Sequence, residues 1–62
     1  MKESDTEVIL IAMRKLRTSI EDLREVRFDP DAELDEAEKD NLLIAEQEID
    51  GALTALHSVV EI

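Results

Sequence analysis

With 62 residues and no cysteine, the chain is one small domain (1–62) that no disulfide can staple and no thiolate can tie to a metal. Its 17 acids and 7 bases give a net charge of −10, which repels phosphate backbones and anionic lipid, so direct binding to nucleic acid or membrane is not expected. The longest apolar run, residues 8–13, is far shorter than the roughly 20 residues of a membrane span, and the charged start has no secretion-signal core, so a soluble, cytoplasmic protein is expected.

Ser4, Asp5, Thr6 and Glu7 read as a capping box, in which the Ser4 hydroxyl and the Glu7 carboxylate satisfy each other's backbone amides. No glycine or proline follows until residue 30, and Ile9, Met13, Leu16, Ile20 and Leu23 recur at alternating spacings of four and three. This predicts a first helix at about residues 5–27, with Arg24 and Arg27 facing the negative end of its dipole. Pro30 then stops that helix. Proline suits a first helical position and Asp29 suits an N-cap, so a second helix is expected over about 30–60. Its seam reads Leu42, Ala45, Ile49, Ala52, Leu56 and Val59. Carried back, the same seam meets Asp35 and Glu38, so the early part should instead bury Leu34, Ala37 and Asn41, with Phe28 plugging the turn.

A short connection makes the helices antiparallel neighbours, an all-α two-helix hairpin. Folding at residue 29 sets Leu16 opposite Leu42, Met13 opposite Ala45 and Ile9 opposite Ile49. The end of the second helix, with Leu56, Val59, Val60 and Ile62, would then overhang the start of the first. A hairpin has one mutual seam, and apolar residues off it call for another protein surface. The simplest arrangement is a homodimer forming a four-helix bundle, with an interface drawn from Val8, Ile9, Ile11, Ala12, Met13, Ala45, Ile49, Ala52, Leu53, Leu56, Val59 and Val60.

Charge divides at the turn. Residues 1–28 carry six acids and six bases, whereas 29–62 carry eleven acids and only Lys39. Arg14, Lys15, Arg17, Arg24 and Arg27 are interrupted by Glu21, Asp22 and Glu25, so they make no nucleic-acid stripe and are expected to pair with acids of the second helix. Asp29, Asp31, Glu33 and Asp35 alternate like a calcium loop, but Leu34 stands where that loop needs glycine and Asp40 where it needs glutamate. The single histidine, His57, has Thr54 rather than glutamate three residues earlier, and a surface pair with Glu61 is its ordinary role. Few reactive groups remain, so no enzyme, metal or cofactor is expected.

The expected function is therefore a non-enzymatic protein–protein interaction module, a small acidic adaptor or regulator that self-associates. The alternative is an acidic inhibitor that imitates nucleic acid. There Asp31, Asp35, Glu38, Glu46 and Asp50 would stand in for phosphates against a basic protein.

Overall fold

A computed structural model describes residues 2–60 and shows two helices packed against each other as an antiparallel hairpin. Helix α1 spans Glu3–Phe28 and helix α2 spans Glu36–Val60. Neither is long and apolar enough to cross a membrane.

The start of α1 differs from the capping-box expectation. Lys2 is the N-cap, extended at φ −71° and ψ 146°, and its carbonyl accepts from the amides of Asp5 and Thr6. Ser4 is already helical and caps nothing; the helix end is held instead by first-turn Glu3 and Asp5 against the dipole. At the other end, Asp29 leaves the helix at φ −72° and ψ 116°. The residue before a proline is pushed out of the helical region, so Pro30 ends α1 through its neighbour.

Pro30 does not begin α2. The Asp29 side chain accepts from the Asp31 amide at 2.9 Å, and the Asp29 carbonyl accepts from Ala32 at 3.2 Å, which closes a turn. The chain stays irregular through residue 35. There the Glu38 amide donates to Asp35 Oδ1 at 2.8 Å, and the Asp35 amide donates to Glu38 Oε1 at 3.2 Å. That reciprocal capping box satisfies two orphan amides, whereas a start at Pro30 would have used Asp29 alone. The connection is thus seven residues, 29–35.

The longer connection changes the register. Arg24 meets Glu46, Arg17 lies beside Leu53, and Met13 lies beside His57, so opposed positions total about 70 rather than the expected 58. Leu16 therefore stands level with Thr54, not Leu42. The overhang is reversed as well: Val60 comes level with Leu10, and the first turns of α1 project past it. Ile62 lies outside the described residues.

The α1 seam is the expected one, Ile9, Met13, Leu16, Ile20 and Leu23, all buried or half-buried, extended by Thr6 and Arg27. The α2 seam is not. Leu42, Ile49 and Leu56 face α1 as expected, but the positions between them are Glu46, Leu53 and Val60. Ala52 and Val59 are exposed, and Ala45 is half-buried beside the seam. Ala37 and Asn41 are also exposed, and Phe28 is 70 % exposed, so none of them fills the turn; Ala32 and Leu34, half-buried, line the loop instead.

Met13 and Ile20 are the buried apolar side chains among the described residues, and of the two Met13 is fully enclosed. The hairpin measures 45 × 16 × 11 Å, with a radius of gyration of 14.5 Å against about 11 Å for a compact chain of this length. Its accessible surface is 4920 Å², where a compact chain of its mass exposes about 4,000 Å².

Candidate interaction surfaces

The most constrained group in the molecule is Glu46. It occupies a seam position, four residues after Leu42 and three before Ile49, and only 3 % of it is exposed. Two arginines one turn apart on α1 reach it. Arg27 donates from Nε to Oε2 at 2.6 Å and from its terminal nitrogen to Oε1 at 3.0 Å, a bidentate fork, and Arg24 Nε donates to Oε1 at 3.1 Å. Arg27 is largely covered and Arg24 largely exposed, so the clamp is open to solvent on one side only. Phe28 lies against it from outside, its ring centroid 4.3 Å from the Arg27 guanidinium carbon.

These bonds hold the Glu46 carboxyl below the usual carboxylate range, chiefly through the hydrogen bonds from Arg27, against a desolvation that acts the other way. The same hydrogen bonds push Arg27 further up. The expectation that helix 1 bases pair with helix 2 acids is met here by Arg24 and Arg27. The acid they choose, Glu46, is one that the sequence alone assigns to the outer acidic face.

On one flank of the hairpin, a shallow groove runs the length of the seam. Met13, Ile20 and Leu53 line its floor, Arg17, Glu21 and Arg24 stand on its α1 wall, and Asp50, Thr54 and His57 stand on its α2 wall. It continues past Asp50 to Leu43, Gln47 and the clamp. Charge of both signs lines this flank.

The opposite flank is different. On α1 it presents Val8, Ala12, Lys15, Ser19, Asp22 and Val26, and on α2 Asn41, Ala45, Glu48, Ala52, Ala55 and Val59, each set at alternating spacings of four and three. All twelve are exposed or half-buried. The positions nearest the seam carry no charge: Val8, Ala12, Ser19 and Val26 on α1, Ala45, Ala52 and Val59 on α2. Lys15, Asp22 and Glu48 sit further out, on the rim. The heptad read from sequence in α2 therefore exists, but its small half stands on the flank beside the seam rather than in it.

The twelve expected interface residues accordingly separate. Met13 is buried, and Ile9, Ile49, Leu53, Leu56 and Val60 are half-buried, in the intramolecular seam. Val8, Ala12, Ala45, Ala52 and Val59 share the uncharged flank. Ile11 points away from the seam and is 51 % exposed.

The five acids expected to form one row do not. Asp31 is in the turn, and Asp35 and Glu38 cap α2. Asp50 stands in the groove beside Arg17 and Arg24, and Glu46 is buried in the clamp. Charge is instead densest at the turn, where residues 29–40 hold seven acids and Lys39, which pairs with Glu36 at 3.9 Å. Asp29 and Asp35 of the alternating acids are spent on backbone amides, and no group of three or more potential ligands converges on a metal position among the described residues. Glu61, the expected neighbour of His57, lies outside the described residues. Sequence reasoning missed Glu46 as a seam residue; the signal was the run Leu42, Glu46, Ile49, Leu53, Leu56, Val60, which keeps heptad spacing if one charged member is admitted.

In comparisons with protein-family models, curated proteins and solved structures, the chain matches none.

Proposed function

We propose that this chain is a non-enzymatic protein–protein interaction module whose first partner is a second copy of itself, two hairpins stacking through the uncharged flank into a four-helix bundle. The observation that carries the reading is the second heptad. A helix that serves one neighbour needs one apolar stripe; α2 has one stripe against α1 and another, through Ala45, Ala52 and Val59, that α1 leaves half-buried at Ala45 and exposed at Ala52 and Val59. Small residues there allow close approach of a second layer.

The size of the unmet need supports the same reading. The accessible surface exceeds that of a compact chain by about 900 Å², close to the roughly 800 Å² per partner of a standard interface. Two buried apolar side chains among the described residues make a very small core, and folds of this size without disulfides or metals are commonly completed by association. Within the assembled module, the acidic turn is left for a basic protein.

Sedimentation equilibrium at micromolar concentration tests this. The expected mass is twice 7.0 kDa, and Ala52→Arg returns the protein to 7.0 kDa by placing two charges in the centre of the interface. A wild-type mass of 7.0 kDa throughout that range sinks the proposal.

A second reading keeps the acidic turn as the working surface, an imitation of nucleic acid that occupies a basic groove. Seven acids within residues 29–40 favour it. Capture of a basic partner that disappears between roughly 50 and 500 mM salt would select this reading, because screening removes an electrostatic interface and leaves an apolar one.

A further inference from the structure

We infer that the two copies stack with their turns at opposite ends, so that α1 lies over α1 of the second copy and α2 over α2. This rests on the self-association proposed above and adds its geometry. A two-fold axis that lays one face on its own copy has two settings. With the axis along the helices, the turns come together and α1 covers α2 of the second copy. With the axis across the helices, the turns separate and like helices cover each other, antiparallel.

Charge decides between them. Turns together gather the seven acids of residues 29–40 twice over at one end, opposed by two copies of Lys39. Turns apart place those clusters at opposite ends of a body about 45 Å long, several times the roughly 8 Å screening length at physiological salt. The rim of the flank agrees. Asp22 and Glu48 stand level across one hairpin, by the register that sets Arg24 against Glu46. Turns together therefore set Asp22 over Glu48 of the second copy, a like-charge meeting made twice. Turns apart remove it. They bring Lys15 of each copy within about a helical turn of Asp22 of the other, and Glu48 over the alanine region around Ala55. The uncharged centre fits this setting as well: Ala52 lies over Ala52, and Ala45 over Val59.

Because the chain has no cysteine, single introduced cysteines report the arrangement directly. Ala12→Cys, Ala45→Cys and Val59→Cys are each small changes on an exposed or half-buried helix surface, and circular dichroism of each variant checks that its helices are retained. The variants are mixed in pairs and treated with a short bismaleimide. The expected result is a covalent heterodimer from Ala45→Cys with Val59→Cys and little from Ala12→Cys with Val59→Cys. The reverse pattern, with equilibrium mass still that of a dimer, overturns the orientation while leaving self-association intact. No cross-link in either mixture, together with a mass of 7.0 kDa, overturns both.

Discussion

The two halves of the hairpin's seam are held by different forces. Toward the open end, Met13, Ile20, Leu53 and Leu56 pack as apolar side chains, with Met13 and Ile20 buried. Toward the turn, the same seam position carries Glu46, clamped by Arg24 and Arg27. Apolar packing is non-directional, so the first half would tolerate a slide of one heptad almost as well. The clamp would not. A slide of seven residues toward the start of α1 puts Ile20 where Arg27 stands and Arg17 where Arg24 stands, so the buried carboxylate loses its bidentate partner; a slide the other way leaves it with neither. The open half thus supplies most of the cohesion, and the turn half supplies the register.

The apolar half breaks first. Met13→Ala deletes the most buried side chain and should cost about 2–5 kcal/mol. A core this small supplies no more than roughly 3–5 kcal/mol, so the variant should be largely unfolded at 25 °C by circular dichroism. A cooperative melt close to that of the wild type would show that another surface carries the cohesion.

The clamp is tested next, by Glu46→Gln, which keeps the side-chain shape and removes the charge. We expect a clear loss of melting temperature, smaller than that of Met13→Ala, and a telling pH profile. Since the folded-state value of Glu46 is lowered, its contribution is complete above the ordinary glutamate range, about 4.3, and is lost as pH falls through the lowered value. Arg27, whose value is raised, stays charged throughout and adds no slope there. Acidification also relieves the general repulsion of a −10 chain, but it does so equally in both proteins. The wild-type advantage over Glu46→Gln should therefore be flat at neutral pH and shrink only in acid. A difference independent of pH would mean that Glu46 acts by packing alone.

The same contrast explains what could be read in advance. The α1 seam was legible because all five of its core positions are apolar at heptad spacing. In α2, Leu42, Ile49 and Leu56 were legible for that reason too. Between them, two stripes compete, the uniformly apolar Ala45, Ala52 and Val59 and the mixed Glu46, Leu53 and Val60. Hydrophobicity favours the first. The second wins because two larger side chains, Leu53 and Val60, face α1, and because Arg24 and Arg27 satisfy the carboxylate. That compensation spans two helices and has no periodicity of its own. The register was misplaced by a separate rivalry between Asp29 and Asp35 as N-caps. Only Asp35 has glutamate three residues on, and that signal was outweighed by the proline. With the boundary went the overhang, whose direction depends on connection length alone. Of the twelve residues expected at an interface, Val8, Ala12, Ala45, Ala52 and Val59 share the uncharged flank, and six others lie in the hairpin's own seam. The burial of Glu46 in particular was out of reach from residue type.

Asp35→Ala separates cap from clamp. It removes the acceptor of the Glu38 amide and half of a reciprocal pair. The expected cost is about 1 kcal/mol, lower than that of breaking the clamp, and it should leave the acid profile of the wild-type and Glu46→Gln difference unchanged. If Asp35→Ala instead erased that difference, the loop rather than the ion pair would be setting the register.

The smallest effect, and the one of opposite sign, is Gly51→Ala. Gly51 lies inside α2 on an exposed surface, with a helical backbone, and a methyl group there would meet no atom within 4 Å. No close approach of another part of the hairpin requires a glycine there. Alanine then gains chiefly by narrowing the unfolded ensemble and by its helix propensity, about 0.5–1 kcal/mol. A melt raised by a few degrees, with the equilibrium mass unchanged, is the expected outcome. Position 51 points away from both the α1 seam and the Ala45, Ala52 and Val59 stripe, so the gain should appear equally in an Ala52→Arg background. A loss of stability in the wild type, absent from that background, would place a second chain against the outer side of α2, where neither flank of the hairpin requires one.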